Sequence, residues 1–175
     1  MPTPLPPGIK LVVGLGNPGL EYDHTYHNAG QLALEWLAGE ASWKNRPTFE
    51  YARMKGMILV RPKTFMNDSG NAVTAALSYF KIQPVDLLVI HDESDLPLGT
   101  AKLVFGRGAA GHRGVSSIIA ALGTKDFWRL RLGIRIRRGK AGGFVLKKMT
   151  APEREILYGA LGASIEKVTK KLTPS

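Results

Sequence analysis

Four histidines stand at positions 24, 27, 91 and 112, and His91 is followed directly by Asp92. A carboxylate that holds one imidazole nitrogen as a donor frees the other to accept a proton near neutral pH. Asn17 and Asn67 add neutral amides that can donate to a carbonyl as it gains negative charge. A base, an orienting carboxylate and amide donors suit hydrolysis by an activated water, with no metal and no covalent intermediate. Other chemistries fit less well. The chain has no cysteine, which excludes thiol nucleophiles, zinc–thiolate sites, iron–sulfur clusters and disulfides. It also lacks the G-x-S-x-G elbow of serine hydrolases. Gly14, Gly16 and Gly19 match G-x-G-x-x-G, but a dinucleotide site needs that turn to open straight into a helix. Here about eight polar loop residues intervene, Pro18 lacks a backbone N–H, and the same pattern recurs at Gly106, Gly108 and Gly111. His24-x-x-His27 has a usable metal spacing, though its flanks read as loop. Plainer readings stand beside these: a loop histidine can be a surface residue, and Asn28 and Asn67 can be helix N-caps.

These groups need elements to hold them. Residues 9–15 (IKLVVGL) read as a buried strand, 48–54 and 57–61 as a hairpin around Lys55-Gly56, and 86–90 (DLLVI) as another buried strand ending at His91-Asp92. Residues 100–105 and 129–136 read as further strands. Helical periodicity marks 28–41, 68–81, 112–122 and 151–172. Apolar strands separated by amphipathic helices predict a single-domain α/β three-layer sandwich, with a twisted, mixed and mostly parallel sheet between helices. The Pro-rich start, residues 1–8, is expected to be a loose arm, with one domain over 9–175 and a flexible loop at 137–143. If the strands are parallel, Asn17, Asn67, His91-Asp92 and Gly111-His112-Arg113 all follow strand ends, and converge with His27 on one rim.

The charge is lopsided. The net charge is +10, yet residues 1–100 hold 8 basic and 10 acidic side chains, while 101–140 hold 10 basic and only Asp126. Such a block predicts a polyanion partner, nucleic acid ahead of a membrane surface; a solvated basic face is the plain alternative. No apolar run nears the ~18 residues of a membrane span, and the start has no signal-peptide layout. A cytoplasmic protein is expected.

The motifs, taken in order, resemble the bacterial-type peptidyl-tRNA hydrolase family. They are Gly-Leu-Gly-Asn-Pro-Gly at 14–19, Tyr22, Thr-Tyr-His-Asn at 25–28, Pro-Lys-Thr-Phe-Met-Asn at 62–67, His-Asp-Glu at 91–93 with Asp-Leu-Pro at 95–97, Gly111-His112, and Arg-Leu-Arg-Leu-Gly-Ile at 129–134. The resemblance implies a cofactor-free, metal-independent esterase that frees tRNA from peptidyl-tRNA, acting as a monomer without an obligate protein partner or a membrane. It implies His27 as the base and Asp92 as its orienting carboxylate. Asn17 would contact the peptide end and Asn67 the region of the scissile carbonyl. Tyr22, Phe65, Met66, Gly111, His112 and Arg113 would bind substrate, and Lys102, Arg107 and Arg131 the tRNA backbone. The chain departs from the family at Arg113, where asparagine is usual, at Tyr26 in place of arginine, at Ala109-Ala110 in a glycine-rich run, and at Val104 in place of a basic residue. A relative of this fold that binds RNA in splicing without hydrolysis is the rival reading.

Overall fold

The apolar run at 9–15 becomes the middle of a seven-stranded sheet. The computed structural model describes residues 8–136 and 143–172. The elements are β1 (Leu11–Gly14), α1 (Ala29–Ala38), β2 (Lys44–Asn45), β3 (Phe49–Met54), β4 (Met57–Pro62), α2 (Ser69–Phe80), β5 (Leu87–Pro97), β6 (Ala101–Phe105), α3 (Arg113–Leu122), β7 (Trp128–Arg135) and α4 (Ala151–Leu172). The strand order is β2-β3-β4-β1-β5-β7-β6. The inner four strands, β4, β1, β5 and β7, are parallel, and β3, β2 and β6 add antiparallel edges. Of the sequence expectations, the Pro-rich arm lies outside the described residues except for Gly8, and the 137–143 loop except for Gly143. Among the described residues, no helix is long and apolar enough to cross a membrane.

Strand side chains alternate between faces, so one strand feeds two cores. Val12, Leu88, Ile90, Leu130 and Leu132 pack with Leu34 and Leu37 of α1 and Leu157 and Leu161 of α4. Leu11, Val13, Leu87 and Val89 pack with Val73 and Ala76 of α2 and Val115 and Ile118 of α3. β7 differs. Its apolar face, Leu130, Leu132 and Ile134, joins the first core, while Arg129, Arg131 and Arg135 occupy the alternate positions.

Two expectations need correction. β5 does not stop before His91 but continues to Pro97, so His91 and Asp92 are strand residues paired with Arg131 and Leu132 of β7. Polar residues can extend a buried strand when their side chains satisfy one another. The 100–105 strand is not parallel: β6 is an antiparallel edge, with Phe105 beside Trp128 at the start of β7. Its end therefore lies at the rim opposite the other strand ends, and the 106–112 loop must bring His112 back. Ala110 (φ 49°) and Gly111 (φ 85°) make that turn in left-handed backbone, which an alanine adopts only at a cost of about 1–2 kcal/mol.

One glycine sets how closely α1 approaches the sheet. A Cβ on Gly30 would collide with the Ile90 carbonyl oxygen and stand 2.7 Å from the Leu15 nitrogen. Both obstacles are backbone. Gly30→Ala is expected to destabilise the fold by about 1–3 kcal/mol despite alanine's better helix propensity. Denaturant unfolding measures it, and an unchanged midpoint would mean that the helix is not held at this distance.

Candidate active site

Each chemical group is placed by a different element at the carboxyl rim of the parallel strands. Asn17 follows β1, and its backbone is gripped on both sides by Asn28: the Asn17 N–H donates to Asn28 Oδ1 at 2.8 Å, and Asn28 Nδ2 donates to the Asn17 carbonyl at 2.9 Å. Asn28 does occupy the N-cap position of α1, but makes no side-chain capping bond, because its amide is spent on Asn17. Gly16 leaves room for this pairing; a Cβ there would come within 2.9 Å of the Asn28 side chain. The Asn17 side chain accepts from the Met66 N–H at 2.7 Å, which orients its Nδ2 as the remaining donor.

His27 lies in a 3-10 turn, Tyr26–Asn28, just ahead of α1. The segment after Gly143 clamps that turn. The His27 N–H donates to the Val145 carbonyl at 2.8 Å, the Tyr26 N–H to Lys147 at 3.1 Å, and the Met149 N–H to His24 at 2.7 Å. The Tyr26 hydroxyl donates at 2.8 Å to Glu153, which also caps the start of α4 through the Thr150 N–H.

Asp92 is 4% exposed and holds two imidazoles. Its Oδ2 is 2.8 Å from His27 Nδ1, and its Oδ1 is 2.8 Å from His112 Nε2. The tautomers follow from the partners. His112 Nδ1 accepts the Val115 N–H at 3.2 Å, so the His112 proton sits on Nε2 and is donated to Asp92. His27 donates from Nδ1 and leaves Nε2, on a residue that lines the cavity, as an acceptor. Burial alone would lower the His27 pKa, but the hydrogen bond and charge of Asp92 outweigh it, and the pKa is raised above 6.5. Burial would likewise raise the Asp92 pKa; the two histidines overcome this and hold it well below the usual carboxylate range. His112 as the second partner of Asp92 is a role the sequence reading missed.

The site is a cavity of about 570 Å³, lined by Asn17, His27, Phe65, Met66, Asn67, Asp92, Glu93, Ser94, Ala110, Gly111, His112, Arg113, Val145 and Leu146. Of the residues expected to bind substrate, only Tyr22 is missing from this wall; it packs edge-on behind the 54% exposed Phe65 ring, 6.1 Å away. Glu93 and Ser94, which read as a solvated turn, and Val145 and Leu146, in a Phe-Val-Leu segment that no polar or glycine signal distinguishes from core, were not anticipated. Asn67 and Arg113 are exposed on the wall, and among the described residues neither side chain has a hydrogen-bond or ion-pair partner. Lys102 and Arg131 are directly opposite one another across β6 and β7, which puts both side chains on one sheet face. Arg131 Nε donates to Glu93 Oε2 at 3.1 Å, and Arg107 is exposed in the returning loop.

Among the described residues, the cluster of three possible metal ligands is His27, Asp92 and His112, whose ligand atoms lie within 4.8 Å of one another; it takes in His27 of the sequence pair but not His24. This trio is arranged for hydrogen bonds. A cation on His112 Nε2 would force the proton onto Nδ1, against the Val115 N–H that already points there. The donor set fits a metal poorly.

A carboxylate between two imidazoles, with an amide donor on the same cavity, can support ester cleavage by an activated water. A family model described as peptidyl-tRNA hydrolase matches residues 11–174. The chain belongs to the peptidyl-tRNA hydrolase family. It is 49% identical to the peptidyl-tRNA hydrolase of Marinobacter nauticus over 159 residues, spanning 85% of this chain and 81% of that one. The Akkermansia muciniphila peptidyl-tRNA hydrolase is 45% identical over 168 residues, 91% of this chain and 87% of its own. The crystal structure of peptidyl-tRNA hydrolase from Acinetobacter baumannii at 1.00 Å resolution matches with a TM-score of 0.82 and 35% identity, covering 95% of this chain and 90% of that one. The family expected from the motifs and the α/β fold expected from the pattern of strands and helices therefore both hold.

Proposed function

We propose that this chain hydrolyses the ester between a peptide and the terminal ribose of tRNA, through His27, Asp92 and the two amides. The observation that carries the reading is the 2.8 Å contact between His27 Nδ1 and Asp92 Oδ2: an ionised carboxylate only accepts, so Nδ1 carries the proton and Nε2 of the neutral ring is the acceptor for a water proton. The water attacks the ester carbonyl as Nε2 takes its proton, and the imidazolium forms beside a carboxylate already ionised to receive it. Asn17 Nδ2 donates to a peptide carbonyl, and Asn67 donates near the scissile oxygen. Phe65, Met66 and the Gly111-His112 wall bound the peptide side. Arg113, a fixed cation with donors only, meets the anionic acceptor end. On this reading the chain acts as a monomer in the cytoplasm without an obligate protein partner or cofactor; the base, the carboxylate and both amides of the site stand on this one chain.

The purified protein is expected to deacylate diacetyl-lysyl-tRNA with chelator present. Binding without cleavage would make it the RNA-binding module instead. Lys102, Arg107 and Arg131 grip the phosphate backbone, with Arg107, three residues on and exposed, serving in place of the missing cation at Val104. Affinity should therefore fall steeply with salt, and Arg131→Ala should flatten the log–log slope by about one unit. An affinity indifferent to salt would reduce the basic block to a solvated face.

A further inference from the structure

Arg129 is 3% exposed, yet among the described residues no carboxylate lies within ion-pair distance of it. Burial is the largest influence on it and lowers its pKa; Arg131 opposes its charge, and Glu93 favours it from beyond pairing distance. A buried guanidinium with no directly paired anion is costly, and its presence calls for a purpose other than stability. Its partners indicate one. Nη2 donates to the Gly108 carbonyl at 2.8 Å and reaches the Arg107 carbonyl at 3.5 Å, while Nη1 faces His91 Nε2 at 3.4 Å. His91 in turn donates from Nδ1 to the Asp92 carbonyl at 2.8 Å, and its ring packs edge-on to His112 with centroids 4.6 Å apart. Burial, with a smaller contribution from His112, lowers the His91 pKa to about 3, so Nε2 stays an acceptor at working pH.

These contacts address the problem posed by β6. The edge strand ends at the wrong rim, and the loop that returns His112 passes through Arg107 and Gly108. We infer that Arg129 is a positioning residue for ester hydrolysis: by pinning the Arg107 and Gly108 carbonyls and His91 together, it sets His112 against Asp92. The inference rests on the proposed hydrolase reading and extends it to a residue that touches neither substrate nor water. It separates two arginines that alternate on the same strand face. Arg131 serves the RNA, whereas Arg129 serves the carboxylate.

When the loop relaxes, His112 leaves Asp92, and the carboxylate then acts on His27 alone. The His27 pKa rises further, and the acid limb of kcat/KM moves to higher pH. Arg129→Met keeps the volume of the side chain and removes its donors. It is expected to lower kcat at pH 7 about tenfold, the worth of one hydrogen bond to a charged group, with KM nearly unchanged. The shift of the acid limb should match that of His112→Ala, and the double variant should show no further shift. Additive shifts, or a raised KM with an unmoved acid limb, would overturn the inference and make Arg129 an RNA contact or a packing residue. Arg129→Lys, which keeps the charge but not the fork, carries the same comparison should the methionine variant fail to fold. The ¹⁵N signals of the His112 imidazole report its Nε2–H tautomer without substrate. A fixed tautomer in wild type that is lost in the Arg129 variants supports the positioning role even if the hydrolase assay were silent, and a tautomer unmoved in both variants would overturn it.

Discussion

His27→Ala should lower turnover of peptidyl-tRNA by about 10²–10⁴-fold, the usual contribution of a positioned general base, with little change in tRNA affinity. The size follows from the absence of a substitute. Asp92 is buried behind His27, and His112 spends its Nε2 proton on Asp92 and its Nδ1 on the Val115 N–H. No second imidazole nitrogen in the trio is available to accept a proton from water. The pH dependence has a definite sign. A base must be neutral, and Asp92 raises the His27 pKa, so activity falls with decreasing pH through a midpoint above 6.5. Below that midpoint His27 is protonated and cannot take the proton. Stopped-time deacylation assays across pH 5 to 9 check both points. A variant with most of its activity, or a wild-type acid limb below 6.5, would remove His27 from the role.

The elements and the chemistry of this site were unequally legible in the sequence. Buried strands such as Leu87–Ile90 and helices such as Asp68–Lys81 were readable because apolar period and turn residues agreed there. The base, carboxylate and amides were readable as residue types, and their convergence followed from parallel strands ending at one rim. Three features were not. The direction of β6 depends on its pairing with β7, and nothing local in Ala101–Phe105 encodes it. The extension of β5 through His91 and Asp92 relies on partners 20 to 65 residues away, Arg129, His112 and His27. Asn28 looked like a helix cap because capping is what an asparagine ahead of a helix usually does; its amide instead binds the Asn17 backbone, a contact that exists only after α1 has docked on β1. In each case a long-range contact overrode a sound local preference.

The same network of donors makes Asp92→Asn more damaging than a loss of charge. An asparagine has one acceptor oxygen and one donor nitrogen, but Asp92 accepts from two imidazoles at once. The amide nitrogen must therefore face one of them. If it faced His112, the proton of that ring would have to move to Nδ1, where the Val115 N–H already points from 3.2 Å. Two donors would then oppose each other at the buried start of α3. The amide is thus driven to turn its nitrogen toward His27, whose Nδ1 must become the acceptor and whose proton moves to Nε2. His27 then presents a hydrogen to the water instead of a lone pair. Turnover is expected to fall by roughly 10⁴-fold, as when a histidine base is held in the wrong tautomer. Raising the pH will not restore it, because a neutral imidazole in the wrong tautomer remains the wrong base at any pH. This separates two accounts of the carboxylate. If Asp92 served only to raise the His27 pKa, the variant would have a neutral, competent base at pH 9 and would approach the wild-type rate. Single-turnover deacylation by Asp92→Asn at pH 9 decides between them, and a near-wild-type rate there would refute the tautomer assignment.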